Sequence, residues 1–157
     1  MTPRVQLLIS SAAAAALIGV AIAAPVPQGG RKFTTTLSGQ NEVNAAHPTG
    51  GAGDPDGTGT AAITVNVGQR RVCWDISVHN IAAPMRGHIH NAPALTNGPI
   101  VVGFFEPTTV ALKGCTPTTQ PVDRALLTNI IQHPQNYYVN VHTADFPAGA
   151  IRGQLGK

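Results

Sequence analysis

Thr60-Ala61-Ala62-Ile63-Thr64-Val65-Asn66-Val67 and Arg71-Val72-Cys73-Trp74-Asp75-Ile76-Ser77-Val78-His79-Asn80, joined by Gly68-Gln69-Arg70, carry the plainest structural signal in the chain. In an extended strand, successive side chains face opposite sides. The first run therefore puts Ile63, Val65 and Val67 on one face. The second puts Val72, Trp74, Ile76 and Val78 on one face and Cys73, Asp75, Ser77 and His79 on the other. Two alternating runs around a short glycine-containing turn read as a hairpin, with Trp74 at the expected centre of the core.

The same period continues on either side. Lys32 to Ser38 reads as a strand with Phe33, Thr35 and Leu37 on one side. The stretch from Asn44 to Gly59 is turn chemistry without a core pattern. Its Asp54 and Asp56 raise a calcium loop, but the further oxygen ligands and the closing Glu are missing, so it reads as a solvated loop. Ile81 to Met85 links into Gly87-His88-Ile89-His90, followed by a loop from Asn91 to Pro99. The unbroken apolar run Ile100 to Phe105 predicts a strand covered on both faces or a sandwich-core strand. Pro107 to Pro121 reads as loop. Asp123 to Gln132 is the one convincing helix, capped by Asp123 and striped by Leu126, Leu127, Ile130 and Ile131. Gln135 to Thr143 and Ala150 to Leu155 complete the pattern. About seven short strands and one short helix predict a mainly β domain, an antiparallel β-sandwich or open barrel. Composition agrees: of 157 residues, 4% are aromatic and 11% charged, against 17 Gly and 13 Pro.

The N-terminus reads differently. Arg4, the apolar run Val5 to Ile22 and the small-x-small triplet Ala21-Ile22-Ala23 predict a secretory signal peptide over 1–23, cleaved after Ala23. Residues 24–32 read as a Pro/Gly-rich tether and 33–157 as the domain. The product is expected in the periplasm or the medium, free of the membrane once cleaved. Losing Arg4 lowers the formal net charge from +3 to +2. Without clustered Lys/Arg among aromatics, nucleic acid is not an expected partner. The expected partner is an extracellular protein or surface, of unspecified identity. In an exported chain, the two cysteines, Cys73 and Cys115, read as a disulfide. Closing a loop of roughly 40 residues contributes about 3 to 4 kcal/mol in the chain-entropy account.

Only the histidines form a constellation with obvious chemistry. On Gly87-His88-Ile89-His90-Asn91, His88 and His90 share one strand face; on Tyr138-Val139-Asn140-Val141-His142-Thr143, Tyr138, Asn140 and His142 share another. If the two segments are neighbours, three imidazoles converge. Imidazole-only ligation in an exported protein suits one Cu(II) or Zn(II) ion, and copper would leave redox activity open. His79 is the candidate fourth ligand, if its strand neighbours that of His88. Asn140 and Asp145 are the candidates for holding ring N–H groups. The competing reading makes the same imidazoles hydrogen-bonded architecture at one end of the sandwich. Arg152 and Glu42 are expected to pair and tie the last strand to the first. No catalytic residue is assigned: there is no nucleophile motif, and nothing places Glu42, Asp75 or Asp145 as an acid or base.

Several pieces together resemble the CHRD domain, the module found in tandem in chordin and singly in secreted bacterial and fungal proteins. They are Leu37-Ser38-Gly39-Gln40-Asn41-Glu42-Val43, Gly87-His88-Ile89-His90, Asn97-Gly98-Pro99-Ile100-Val101, Tyr138-Val139-Asn140-Val141-His142-Thr143, and Pro147 through Arg152-Gly153-Gln154-Leu155. The chain departs from the family pattern at Asn44 and Ala45, where prolines are usual, at Asn91, where glycine is common, and at Ala150, where an acidic residue is usual. The resemblance implies a β-sandwich domain of extracellular proteins and little about activity; the function expected of the chain is that of a secreted, non-catalytic binding or structural module. It does not carry growth-factor binding over to this chain.

Overall fold

A computed structural model describes residues 29–156. The expected leader, 1–23, and the tether as far as 28 lie outside the described residues. Eight strands follow in order: β1 (Arg31–Ser38), β2 (Thr58–Asn66), β3 (Arg71–His79), β4 (Arg86–Asn91), β5 (Ile100–Phe105), β6 (Lys113–Cys115), then helix α1 (Arg124–Gln132), β7 (Tyr137–His142) and β8 (Ile151–Gln154). They form one antiparallel sheet in the order β5-β4-β7-β8-β1-β2-β3-β6. The sheet curls until its two ends nearly meet. Trp74 of β3 stacks on Phe104 of β5 with ring centroids 4.9 Å apart, and its indole N–H donates to the Ala111 carbonyl at 2.7 Å. The fold is a nearly closed barrel around one apolar core.

The expected hairpin is β2–β3, paired from Thr58↔His79 to Asn66↔Arg71. Its turn is made by Asn66, whose side-chain oxygen accepts the Gln69 N–H at 2.8 Å, and by Arg70 at φ 53°. Ala61, Ile63, Val65, Val72, Trp74 and Ile76 all point into the core. β1 starts at Arg31 and so takes two residues from the expected tether.

Two stretches differ from expectation. Lys113–Cys115, expected as loop, is an edge strand, because Cys73 and Cys115 face each other across β3 and β6 and are disulfide-bonded. The apolar run of β5 is not covered on both faces; it is the other edge, with Ile100 more than half exposed. Its register against β4 skips Val101 and Phe104. These bulges interrupt strict alternation and allow both Phe104 and Phe105 to be buried.

α1 packs at the barrel end where β2 finishes. Leu127 and Ile130 are fully buried and Leu126 and Ile131 partly so. The Asp123 carboxylate caps it by accepting the Leu126 N–H at 2.9 Å. Asp123→Ala is expected to destabilise the protein by about 1 kcal/mol in urea unfolding. An unchanged midpoint would mean that packing alone sets the start of the helix.

Candidate metal centre

β4 and β7 are direct neighbours, in the register Arg86↔His142, His88↔Asn140 and His90↔Tyr138. Because Ile89, Val139 and Val141 fill the core, their alternating partners point to the outer face of the sheet. That face is not open to water. The segment 92–98 lies over it, and His88, His90 and His142 are 3%, 8% and 9% exposed. One nitrogen from each ring lies within 4.8 Å of the others. This is room for an ion rather than for an organic substrate. A groove of about 520 Å³ elsewhere, against Lys32, Ala62, Trp74 and the disulfide, shares no residue with the cluster.

Hydrogen bonding settles which ring nitrogens are free. His142 Nδ1 is 3.0 Å from the Pro147 carbonyl and His90 Nδ1 is 2.9 Å from the Gly98 carbonyl. A carbonyl only accepts, so each Nδ1 carries the proton and each Nε2 keeps its lone pair. His90 Nε2 is buried without a partner. His142 Nε2 lies 3.1 Å from His88 Nδ1 and 3.1 Å from Asn140 Oδ1. His88 turns its other nitrogen, Nε2, towards Glu106 Oε1 at 3.6 Å, and Glu106 is held from outside by the Arg86 guanidinium at 2.9 Å. In the metal-free protein His88 Nδ1–H therefore donates to His142 Nε2; with the His88 proton moved to Nε2, beside Glu106, the converging donors would be His88 Nδ1, His90 Nε2 and His142 Nε2. Each second nitrogen is oriented by an oxygen, the arrangement typical of metal-binding imidazoles.

Burial keeps the rings neutral. It lowers the pKa of His88, helped by the neighbouring His90, and that of His90. The His142 pKa is pushed down to about 4, chiefly by burial. Neutral imidazole is the ligating form. In a tetrahedral zinc site with Zn–N near 2.0–2.1 Å, donors sit about 3.3 Å apart. The 3.1 Å from His88 to His142 is already close to that edge. His90 needs to close by up to about 1.5 Å from the 4.8 Å bound on the cluster, within reach of a side-chain rotation.

Other site residues fall differently from expectation. His79 is exposed on β3, between β2 and β6 and away from β4, so the strand order removes it as fourth ligand. Asp145 is exposed, and the Pro147 carbonyl occupies the position expected for it beside His142. Glu42 and Arg152 do not form a contact ion pair. The Arg152 side chain, 1% exposed, is spent on Asn97 Oδ1 (3.1 Å) and the Pro93 (3.1 Å) and Thr96 (2.8 Å) carbonyls, and lies 3.4 Å over the Tyr138 ring. Tyr138 stacks in turn on His90, with centroids 4.8 Å apart. Since β7 lies between β4 and β8, Arg152, Tyr138 and His90 form one layered stack that buttresses the cluster.

Glu42 is instead a buried carboxyl, 4% exposed, with Oε1 unpartnered. Burial pushes its pKa up to about 7, against the opposing pull of Arg152 and Asn140. Gly149, at φ 144°, stands against it, where a Cβ would collide with the carboxylate. Glu106 was missed by sequence reasoning. Its one signal was its place directly after β5, the strand that pairs with the His88 strand.

No match is found among curated proteins or among solved structures. Residues 33–155, nearly all of the described chain, match the family described as the CHRD domain. By that match, the chain belongs to the CHRD domain family.

Proposed function

We propose that this chain is an exported CHRD-domain module that holds one copper or zinc ion at His88, His90 and His142, and that it binds rather than catalyses. Export is supported by the leader pattern over 1–23 and by the Cys73–Cys115 bridge, a bond typical of oxidising compartments. The observation that carries the metal reading is His90 Nε2: a buried lone pair without a partner, with its ring fixed by the Gly98 carbonyl and its neighbours two further neutral imidazoles. Leaving such a group unsatisfied costs about 1–3 kcal/mol. A cation at the centre removes that cost, and with the His88 proton moved to Nε2 beside Glu106 it uses a lone pair from each ring. Cu(II) and Zn(II) are the ions that nitrogen-only sites favour.

The test is metal content of the untagged protein by mass spectrometry, with titration of Cu(II) and Zn(II) into the stripped form. One equivalent is expected, with affinity falling at least about 100-fold in His88→Ala. No binding at micromolar metal would make the imidazoles structural and refute the reading.

A further inference from the structure

Two acceptors face each other inside the cluster. His142 Nε2 has no proton, because Nδ1 donates to Pro147, yet the Asn140 carbonyl oxygen, Oδ1, lies 3.1 Å from it. Asn140 is 2% exposed, so bulk solvent does not reach the contact. It stands directly opposite His88 in the register, on the same face as all three rings. On its other side the amide approaches the Glu42 carboxyl and favours its ionised form, the action of an N–H donor. The oxygen is the end of the amide that faces the histidines, which leaves the NH2 group for the side on which the buried Glu42 carboxyl lies. With the amide turned over, NH2 would satisfy His142, but Oδ1 would then face a carboxyl oxygen.

We propose that the Asn140 amide oxygen is a fourth donor to the three-histidine centre, aimed there by Glu42, which acts as a positioning residue on the amide's NH2. The inference rests on the three-histidine reading and adds an oxygen to it. Three nitrogens and one oxygen complete a four-coordinate site of hard and borderline donors. Gly149 belongs to the same device, since any side chain there would displace the carboxylate from behind Asn140.

Co(II) reports coordination directly through its visible absorption, and Zn(II) competition gives affinity. In the full protein, Asn140→Leu is expected to lower Zn(II) affinity about 10- to 100-fold and to shift the Co(II) bands, whereas Asn140→Asp keeps an oxygen donor and retains binding. Glu42→Gln is expected to weaken affinity less and leave the Co(II) bands in place. Should Asn140→Leu fail to fold, the wild-type protein decides: on Zn(II) addition, the side-chain 15N resonance of Asn140 is expected to move. An unmoved resonance, or wild-type affinity and bands in Asn140→Leu, would overturn the fourth donor while leaving the three histidines standing. A wild-type protein that binds neither Zn(II) nor Co(II) would overturn both.

Discussion

Arg152→Ala is expected to lower the unfolding free energy by about 3 to 5 kcal/mol, because three charge-assisted hydrogen bonds disappear from a buried place and a cavity opens beside Tyr138. Arg152 is one of the largest fully buried side chains described, and it is answered by carbonyls rather than by a contacting carboxylate. Its partners all lie on the segment from Pro93 to Asn97, whose next residue, Gly98, holds His90 Nδ1. The effect therefore reaches the site through the loop. Arg152→Lys is expected to recover only a minor part, since an ammonium neither spans three acceptors in one plane nor lies flat on the Tyr138 ring. Urea unfolding with an unchanged m-value measures the loss. A change below about 1 kcal/mol would show that the loop holds itself.

In the metal-free protein, stability is expected to depend on pH through two groups of opposite sign. His142 titrates at about 4 when folded and near 6.5 when unfolded. Below 6.5 the unfolded chain takes up a proton that the folded one refuses, so stability is lost as pH falls from 6.5 towards 4, by roughly 3 kcal/mol in full. His88 and His90, also lowered by burial, act in the same direction. Glu42 titrates at about 7 when folded and near 4.5 when unfolded. Above 4.5 the unfolded chain releases a proton that the folded one keeps, so stability is lost as pH rises from 4.5 to 7, again by roughly 3 kcal/mol. Glu42→Gln removes the second effect alone. The variant is expected to exceed the parent by about 2 to 3 kcal/mol at pH 8 and to match it near pH 4.5. A gap that stays constant across that range would show that the buried carboxyl does not carry this cost.

The readable parts of the chain were those governed by local period. Thr60 to Asn80 alternates strictly and became β2–β3. His88, His90 and His142 were legible because same-face side chains recur at every second residue of a strand, and this holds in any sheet. What was not legible depended on neighbours far along the chain. His79 looked eligible until the order β2-β3-β6 placed it away from β4. The edge strand Lys113–Cys115 has three residues and no period of its own; the bridge to Cys73 and the pairing with β3 make it a strand. The buried Phe104–Phe105 pair hid two bulges behind an unbroken apolar run. Opposite charges suggested Glu42 with Arg152, but the guanidinium found backbone carbonyls, which have no signature in sequence. The same is true of the Pro147 and Gly98 carbonyls that set the histidine tautomers.

The sheet is continuous in its hydrogen bonding but unevenly sewn. β1 pairs with β2 along its whole length, yet it meets β8 through the single opposed pair Ser38↔Arg152, helped by the Asn41 side chain on the Arg152 carbonyl at 3.0 Å. This thin seam divides two four-stranded halves. One half carries the three histidines on β4 and β7; the other carries the bridge between β3 and β6. Each half thus has its own brace, while the seam is crossed by scattered bonds, such as Asp54 N–H to the Ala150 carbonyl at 2.8 Å. Under tension applied through β1 and β8, the first and last strands described, the two halves would part like a zip at the seam while each brace stayed whole.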